Sequence, residues 1–428
     1  MKKIKNIIIS MLILFSVSAC NDKITQIFVA NSPIYMSYED LAIAVKQTNA
    51  RVLENTGKIY FKDNYLFIIE EMQGIHIIDN TNPLTPLNIS FIEVPGVVDM
   101  AIKGNILYVD SYVDLVALNL ADLDNITELK RIRDVFPYTL PTYDEDYPLA
   151  QIDQEKGVVI GWEIKTVRQV VEDRYYPVYW GGGMLFDASS SSYANTSAIG
   201  SSGFGVGGSM ARFGISGNTL YTVDDRMLHI FDITDASNPI NYGEVYAGWA
   251  IETLFITGDK LFLGSQNGVY IYDIAFPRVP EYLSQFWHST GCDPVVVSDT
   301  LAFVTLRGGN ACGNTLNRLD VLSVADYSNP KLLATYAMSG PYGLGIDDKT
   351  LFVCDGDAGL KIYDISDPLA LDQHLLAHFP FINAYDVIPY NGLLFMIAED
   401  GFYQYSYENL SAIEFVSKID ILRADDKK

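Results

Sequence analysis

One phrase, roughly Gly-apolar-x-apolar-apolar-Asp-apolar, returns along most of the chain, and such self-similarity restricts the fold more than any other feature. It reads GIHIIDN at 74–80, GGMLFDA at 182–188, MLHIFDI at 227–233, GVYIYDI at 268–274 and GLKIYDI at 359–365. Weaker copies are DLVALNL (114–120), RLDVLSV (318–324) and GFYQYSY (401–407). Pro83, Pro239, Pro277, Pro330 and Pro368 follow soon after, where a strand no longer needs a ladder donor. Before the phrase come an apolar strand, a tight turn and another strand, as in 97–110, 211–223, 251–264 and 385–397. Gly104-Asn105, Gly217-Asn218 and Asn391-Gly392 supply the positive φ that such hairpins require. A further strand follows the proline at 87–94, 331–338 and 375–381.

Four short strands in roughly 40 residues make one propeller blade. The strands are apolar on both faces, as stacking between two neighbouring blades demands. Innermost strands start near Lys58, Val97, Gln151, Met210, Ile251, Cys292, Tyr342 and Ala384. The expectation is therefore an all-β propeller over 48–420 with eight four-stranded blades, the third interrupted by an insertion at 165–209. Seven blades are the alternative, and an array of β-sandwiches is the competing arrangement. Composition agrees. The 28 tyrosines and 21 phenylalanines suit half-buried strands, and 32 glycines with 17 prolines can punctuate many of them.

The first 19 residues read as an export signal. Met1-Lys2-Lys3-Ile4-Lys5 is a cationic start, and Ile7 to Phe15 is an apolar stretch too short to span a bilayer comfortably. Val17-Ser18-Ala19-Cys20 then resembles a bacterial lipobox, which implies cleavage before Cys20 and a diacylglycerol on its thiol. On this reading residues 20–47 form a lipid-anchored tether, with a short helix around Tyr38 to Lys46, and 421–428 form a tail. The expected location is the cell envelope, with the outer membrane favoured, on its periplasmic or its surface side, and the membrane contacted through lipid.

The phrases GIHIIDNTNP, GVYIYDI, RLDVLSVADYSNP and GLKIYDISDP resemble the LVIVD repeat of bacterial secreted and lipoprotein propellers, over about Lys58 to Asp420. The resemblance implies the architecture and no particular activity. Asp79, Asp187, Asp232, Asp273 and Asp364 within the phrase are read as turn-stabilising, their carboxylates accepting backbone N–H bonds.

With 53 acidic against 29 basic side chains the formal charge is -24, which argues against nucleic acid as a partner. Blade topology gathers several acids at one channel mouth: Asp99, Asp110, Asp114, Asp224, Asp293, Asp355, Asp357 and Asp386, with Arg212 as a cationic exception. A ring of carboxylates there would suit a cation such as calcium, or a basic ligand. Polar loop tips on an acidic protein are the plainer account. No other cofactor is indicated. Within the insertion, Tyr175, Tyr176, Tyr179 and Trp180 form an aromatic loop that could stack on a glycan or peptide of the envelope, followed by a Gly/Ser tract at 189–209. His76 and His229 share a repeat position, which explains them better than metal binding; His288, His374 and His378 form no metal motif. Cys292 and Cys312 fall at one end of one blade, and an oxidising compartment predicts a disulfide between them, leaving Cys354 as a buried free thiol.

No nucleophile elbow, phosphate loop or zinc motif is present in the sequence. The favoured function is a non-catalytic binding or scaffolding propeller. The alternatives are an enzyme acting on envelope glycans or small molecules with carboxylates at the channel mouth, and a structural member of a larger assembly with an apolar blade edge.

Overall fold

Strand, tight turn and strand repeat because each apolar segment is flanked by residues that accept left-handed backbone. Gly104, Gly217 and Gly258 hold φ of +57°, and Asn391 holds +48°. The computed structural model describes residues 24–171, 206–209, 211–288, 294–308 and 316–422. Within them, seven antiparallel sheets form a seven-bladed propeller. Their innermost strands are Thr56–Lys62, Met100–Lys103, Phe213–Ser216, Ile251–Thr257, Val295–Ser298, Leu344–Asp347 and Ala384–Tyr390, numbered here as blades 1 to 7. In each blade the strands lie in sequence order from the axis outwards.

The hydrophobic core sits between blades, so both faces of each sheet are buried. Phe255 and Phe262 of blade 4 pack in one cluster with Val296 and Phe303 of blade 5 and Leu344 and Val353 of blade 6. The ring is closed without a shared blade. Phe61 of blade 1 stacks on Phe395 of blade 7 at 4.6 Å between centroids. Below them, Asn80 and Gln404 exchange reciprocal amide bonds of 2.9 and 2.8 Å. The Leu422 amide donates to the Leu53 carbonyl at 2.9 Å, so the start of the tail joins the closure.

The eighth blade expected from Gln151 is absent from the described residues. Val158–Val171 pairs with Ile24–Met36 in a two-stranded ribbon outside the ring. Its exposed Ile160 and Ile164 show why it cannot count as a blade strand, which would be covered on both faces. The phrase at 182–188 lies outside the described residues. The tether expectation also changes. Residues 24–36 are a 13-residue strand, Tyr38–Leu41 is a single helical turn, and Lys46–Asn49 adds a strand to the outer edge of blade 1 against Leu87–Glu93.

A two-stranded ribbon is marginal by itself, and buried Asn31 fastens this one. Its side-chain amide donates to the carbonyls of Asp144 (2.8 Å) and Tyr147 (2.7 Å), and its backbone bonds Pro148 and Ala150. At the ribbon's inner end, Leu41, Tyr112 and Val158 form a small core with Met36, Tyr38 and Tyr138.

Candidate functional site

Chain order decides which loops share a face. Segments entering the inner strands, and loops joining second and third strands, lie together on what is here the upper face; the remaining hairpins lie on the lower face.

The lower face repeats one arrangement in five of the seven blades. Asp79, Asp232, Asp273 and Asp364 accept from the amide two residues on, at 2.7–2.9 Å, as the turn reading expects. The hydroxyls of Thr81, Thr234 and Ser366, with these amides, hold Asp79, Asp232 and Asp364 below the usual range, and the Ala275 amide does so for Asp273. Asn119 does the same in blade 2, and Asp187 lies outside the described residues.

The upper face is varied. In three blades the third residue of the third-strand phrase meets an acid just before it. His76 Nε2 contacts Glu70 at 2.7 Å, His229 Nε2 contacts Asp224 at 2.9 Å, and Lys361 Nζ donates to Asp355 at 2.6 Å. Burial alone would raise Asp224, but His229 and the amides of Arg226 and Met227 hold it below its ordinary value. Asp355 is fully buried and accepts from the Ser339 and Gly340 amides. Asp114 pairs with Arg131 at 3.0 Å on the outer strand of its own blade. Asp386 is buried against blade 6, so close that a methyl on Gly343 would collide with it. Asp357 is exposed in a turn. Among the described residues, the acids expected at the mouth therefore do not form one open ring, because most of them close loops inside their own blades.

Asp99 and Asp110 do come together. Lys58 Nζ donates to Asp99 Oδ2 at 2.9 Å, with both side chains buried. The same oxygen accepts from the amides of Arg212 and Phe213, and Asp99 Oδ1 from Met100 at 2.7 Å. Asp110 Oδ1 accepts from the Val98 and Asp99 amides at 2.9 and 2.8 Å. Desolvation nevertheless pushes Asp110 up to about 7, and Glu71, close to Lys58 and Arg212, also to about 7. Burial pushes Lys58 down, against the pull of Asp99.

Across the mouth, Gln266 Nε2 donates to buried Glu252 at 2.9 Å. Desolvation raises Glu252, while Arg212, Arg307 and His288 act electrostatically to lower it. Arg212 enters from blade 3. Arg307, just after the second strand of blade 5, lays its guanidinium 4.0 Å from the centroid of the Tyr342 ring. The mouth is thus a mixed-charge site. Sequence reasoning overlooked Lys58, Arg307 and Tyr342; a cation opening a strand beside an apolar run was the available signal for Lys58.

The channel beneath holds the protein's own chain. Val206–Gly207 pairs antiparallel with Phe61 and Tyr60 on the axial edge of blade 1. Buried Ser209 then accepts, through Oγ, the Leu344 amide of blade 6 at 2.9 Å, and the Ala211 carbonyl accepts the Leu254 amide of blade 4. A Cβ at Gly207 would stand 3.0 Å from two Tyr60 ring carbons, so the segment needs its small residues to pass. That is what the end of the Gly/Ser tract does.

Cys20, Asp293, Cys292, Cys312, Tyr175, Tyr176, Tyr179 and Trp180 lie outside the described residues. Cys354 is a buried free cysteine, its thiol pushed well up by burial. Among the described residues no group of three or more His, Cys, Asp or Glu is placed to hold a metal, and no helix is long and apolar enough to cross a membrane. Away from the mouth, the outer strands of blades 3 and 4 expose Tyr242, Tyr246, Tyr282 and Trp287.

No protein-family model and no curated protein matches the chain. Solved structures with a similar course include the computationally designed Ika8 protein, at 10% identity and TM-score 0.48, covering 87% of this chain and 90% of that one. A functionally unknown protein from Desulfotomaculum acetoxidans is 12% identical with TM-score 0.47, over 83% and 95% of the two chains. BamB from Moraxella catarrhalis is 9% identical with TM-score 0.43, over 84% and 96%. None of these bears on function, and the seven-blade architecture stands on the strand pairing itself.

Proposed function

We propose that this chain is a non-catalytic binding or scaffolding propeller of the bacterial cell envelope, of the LVIVD-repeat type and anchored by lipid at Cys20. The observation that carries the binding half is the occupied channel. A chain segment fills the axis, and the engaged carboxylates around it serve loops and ion pairs, which leaves the upper surface and the blade edges as the places to meet a partner. Aromatic side chains concentrate at protein interfaces, and the exposed Tyr242, Tyr246, Tyr282 and Trp287 fit that use.

The anchoring half rests on the lipobox resemblance and on chain length. Ile24 stands four positions after Cys20, a reach of at most about 14 Å. A lipid on Cys20 would thus hold the outer end of the ribbon near the bilayer, where exposed Ile27 and Val29 stand beside Lys165 and Arg168. The 13 paired residues of Ile24–Met36 would extend about 44 Å from there.

Two measurements test the reading. Mass spectrometry of the protein from its native membrane should find an N-terminal acylated Cys20; an unmodified, soluble chain would remove the anchor. Photo-crosslinkers placed in cells at Gln266, Trp249 and Trp287 should capture a partner, while positions 235 and 326 on the lower face should not. Capture from the lower face alone would reject the binding surface.

A second reading is favoured by one observation. Glu71 and Asp110 both titrate near 7, where a proton donor or acceptor works well. Turnover of an envelope glycan abolished by both Glu71→Gln and Asp110→Asn would establish it over the first.

A further inference from the structure

Arg212 and Arg307 approach the mouth from blades 3 and 5, on either side of Glu252 in blade 4, and both act on its carboxylate. Arg212 reaches far enough across to act on Glu71 and Lys58 of blade 1 as well. Both arginines are half-buried. Among the described residues neither guanidinium makes a hydrogen bond or an ion pair; Arg307 has only the face of Tyr342. Three of the neighbouring acids are held by other donors. Asp99 is bound by Lys58 and three amides, Asp110 by two amides, and Glu252 by Gln266.

A guanidinium carries five N–H donors in a planar fork that matches the two oxygens of a carboxylate or phosphate. Leaving such donors unused in a partly desolvated site is costly, whereas a charge-assisted bidentate bond is among the stronger polar contacts. The crossing segment at 206–209 runs from Phe61 and Tyr60 of blade 1 to Leu344 of blade 6. The Tyr342 ring, 4.0 Å from the Arg307 guanidinium, holds it on one side.

We propose that the upper mouth binds an oxyanion between Arg212 and Arg307, as a carboxylate or phosphate group of a small molecule. This reverses the sign of ligand that the acidic composition suggests. It deepens the binding reading of the same face and is independent of the lipid anchor.

The test is calorimetric titration of the purified full chain with inorganic phosphate and, separately, with succinate, at constant ionic strength set by chloride. Saturable binding of either probe is expected, and which one binds identifies the oxyanion class. Arg212→Gln and Arg307→Gln should each weaken it at least tenfold while leaving the ligand-free melting temperature nearly unchanged. Arg226→Gln removes an upper-face charge paired with Asp225 and should bind as the unaltered protein does. If neither probe binds beyond chloride, or if all three variants weaken binding equally, the oxyanion site is rejected. Partner capture at Gln266 and Trp249 would still stand in that case, so failure here is separable from failure of the binding reading.

Discussion

The two faces of the propeller are made by the same repeat, yet they differ in almost every physical respect. On the lower face, five of the seven blades repeat one task, an Asp or Asn accepting an amide two positions on. On the upper face, matching positions hold His76, His229, Lys361 and Tyr403, each with a different acid partner. The connection from blade 2 to blade 3 builds a ribbon there and returns through the channel. A repeated fold needs its turns to be alike on one side only. The other side is free to diverge, and the charges that packing does not require collect there.

Substitution of one partner in the buried upper pair should give the largest difference between the faces. Lys58→Ala leaves Asp99 buried without its cation, and a cost of about 3–5 kcal/mol is expected. Chemical denaturation measures it, and Lys58→Met combined with Asp99→Asn, which keeps an acceptor for the Arg212, Phe213 and Met100 amides, should recover most of the loss. Gly207→Val comes next. Its added carbons must push on Tyr60, so about 1–3 kcal/mol should be lost, with a matching drop in protection of the 56–62 amides from hydrogen exchange.

The third expectation concerns pH. Glu71 and Asp110 have native values near 7, well above those of an unfolded carboxylate, so the native state binds more protons. Their effect on stability is unfavourable above pH 7 and fades as the pH falls from 7 towards the unfolded values. Glu71→Gln should therefore raise the melting temperature at pH 8 and have little effect at pH 5. An equal gain at both would place Glu71 in water. The smallest effect belongs to the lower face. Asp364→Ala removes one exposed turn bond and should cost no more than about 1 kcal/mol. A loss as large as that at Lys58 would erase the contrast between the faces.

The legibility of the sequence follows the same division. Hairpin dipeptides such as Gly217-Asn218, and the aspartates ending the repeated phrase, carry local rules, so blade boundaries and lower turns could be read directly. The extra blade comes from reading a strand start near Gln151, since β-rich composition does not reveal that Val158 pairs with Met36 and Val171 with Ile24, more than a hundred positions earlier. The pairing of Ile24–Met36 with this segment is set by tertiary contacts, above all those of Asn31. Lys58 reads as a strand start, because nothing local marks Asp99 as its partner. Arg212 reads as no more than a cationic exception. Its neighbours Glu252 and Glu71 lie on two other blades, and only closure of the ring brings them near it.

The most direct test of seven blades closed around their own chain is a cysteine pair at positions 206 and 61, whose Cα atoms face each other across the channel strand. With the native cysteines replaced by serine, oxidation should join the two peptides, as seen by mass spectrometry, in a folded protein that melts no lower than its reduced form, the loss of the Phe61 ring lowering both alike. If both thiols stay open to alkylation in the folded chain, residues 206–207 do not run along blade 1, and the central claim fails.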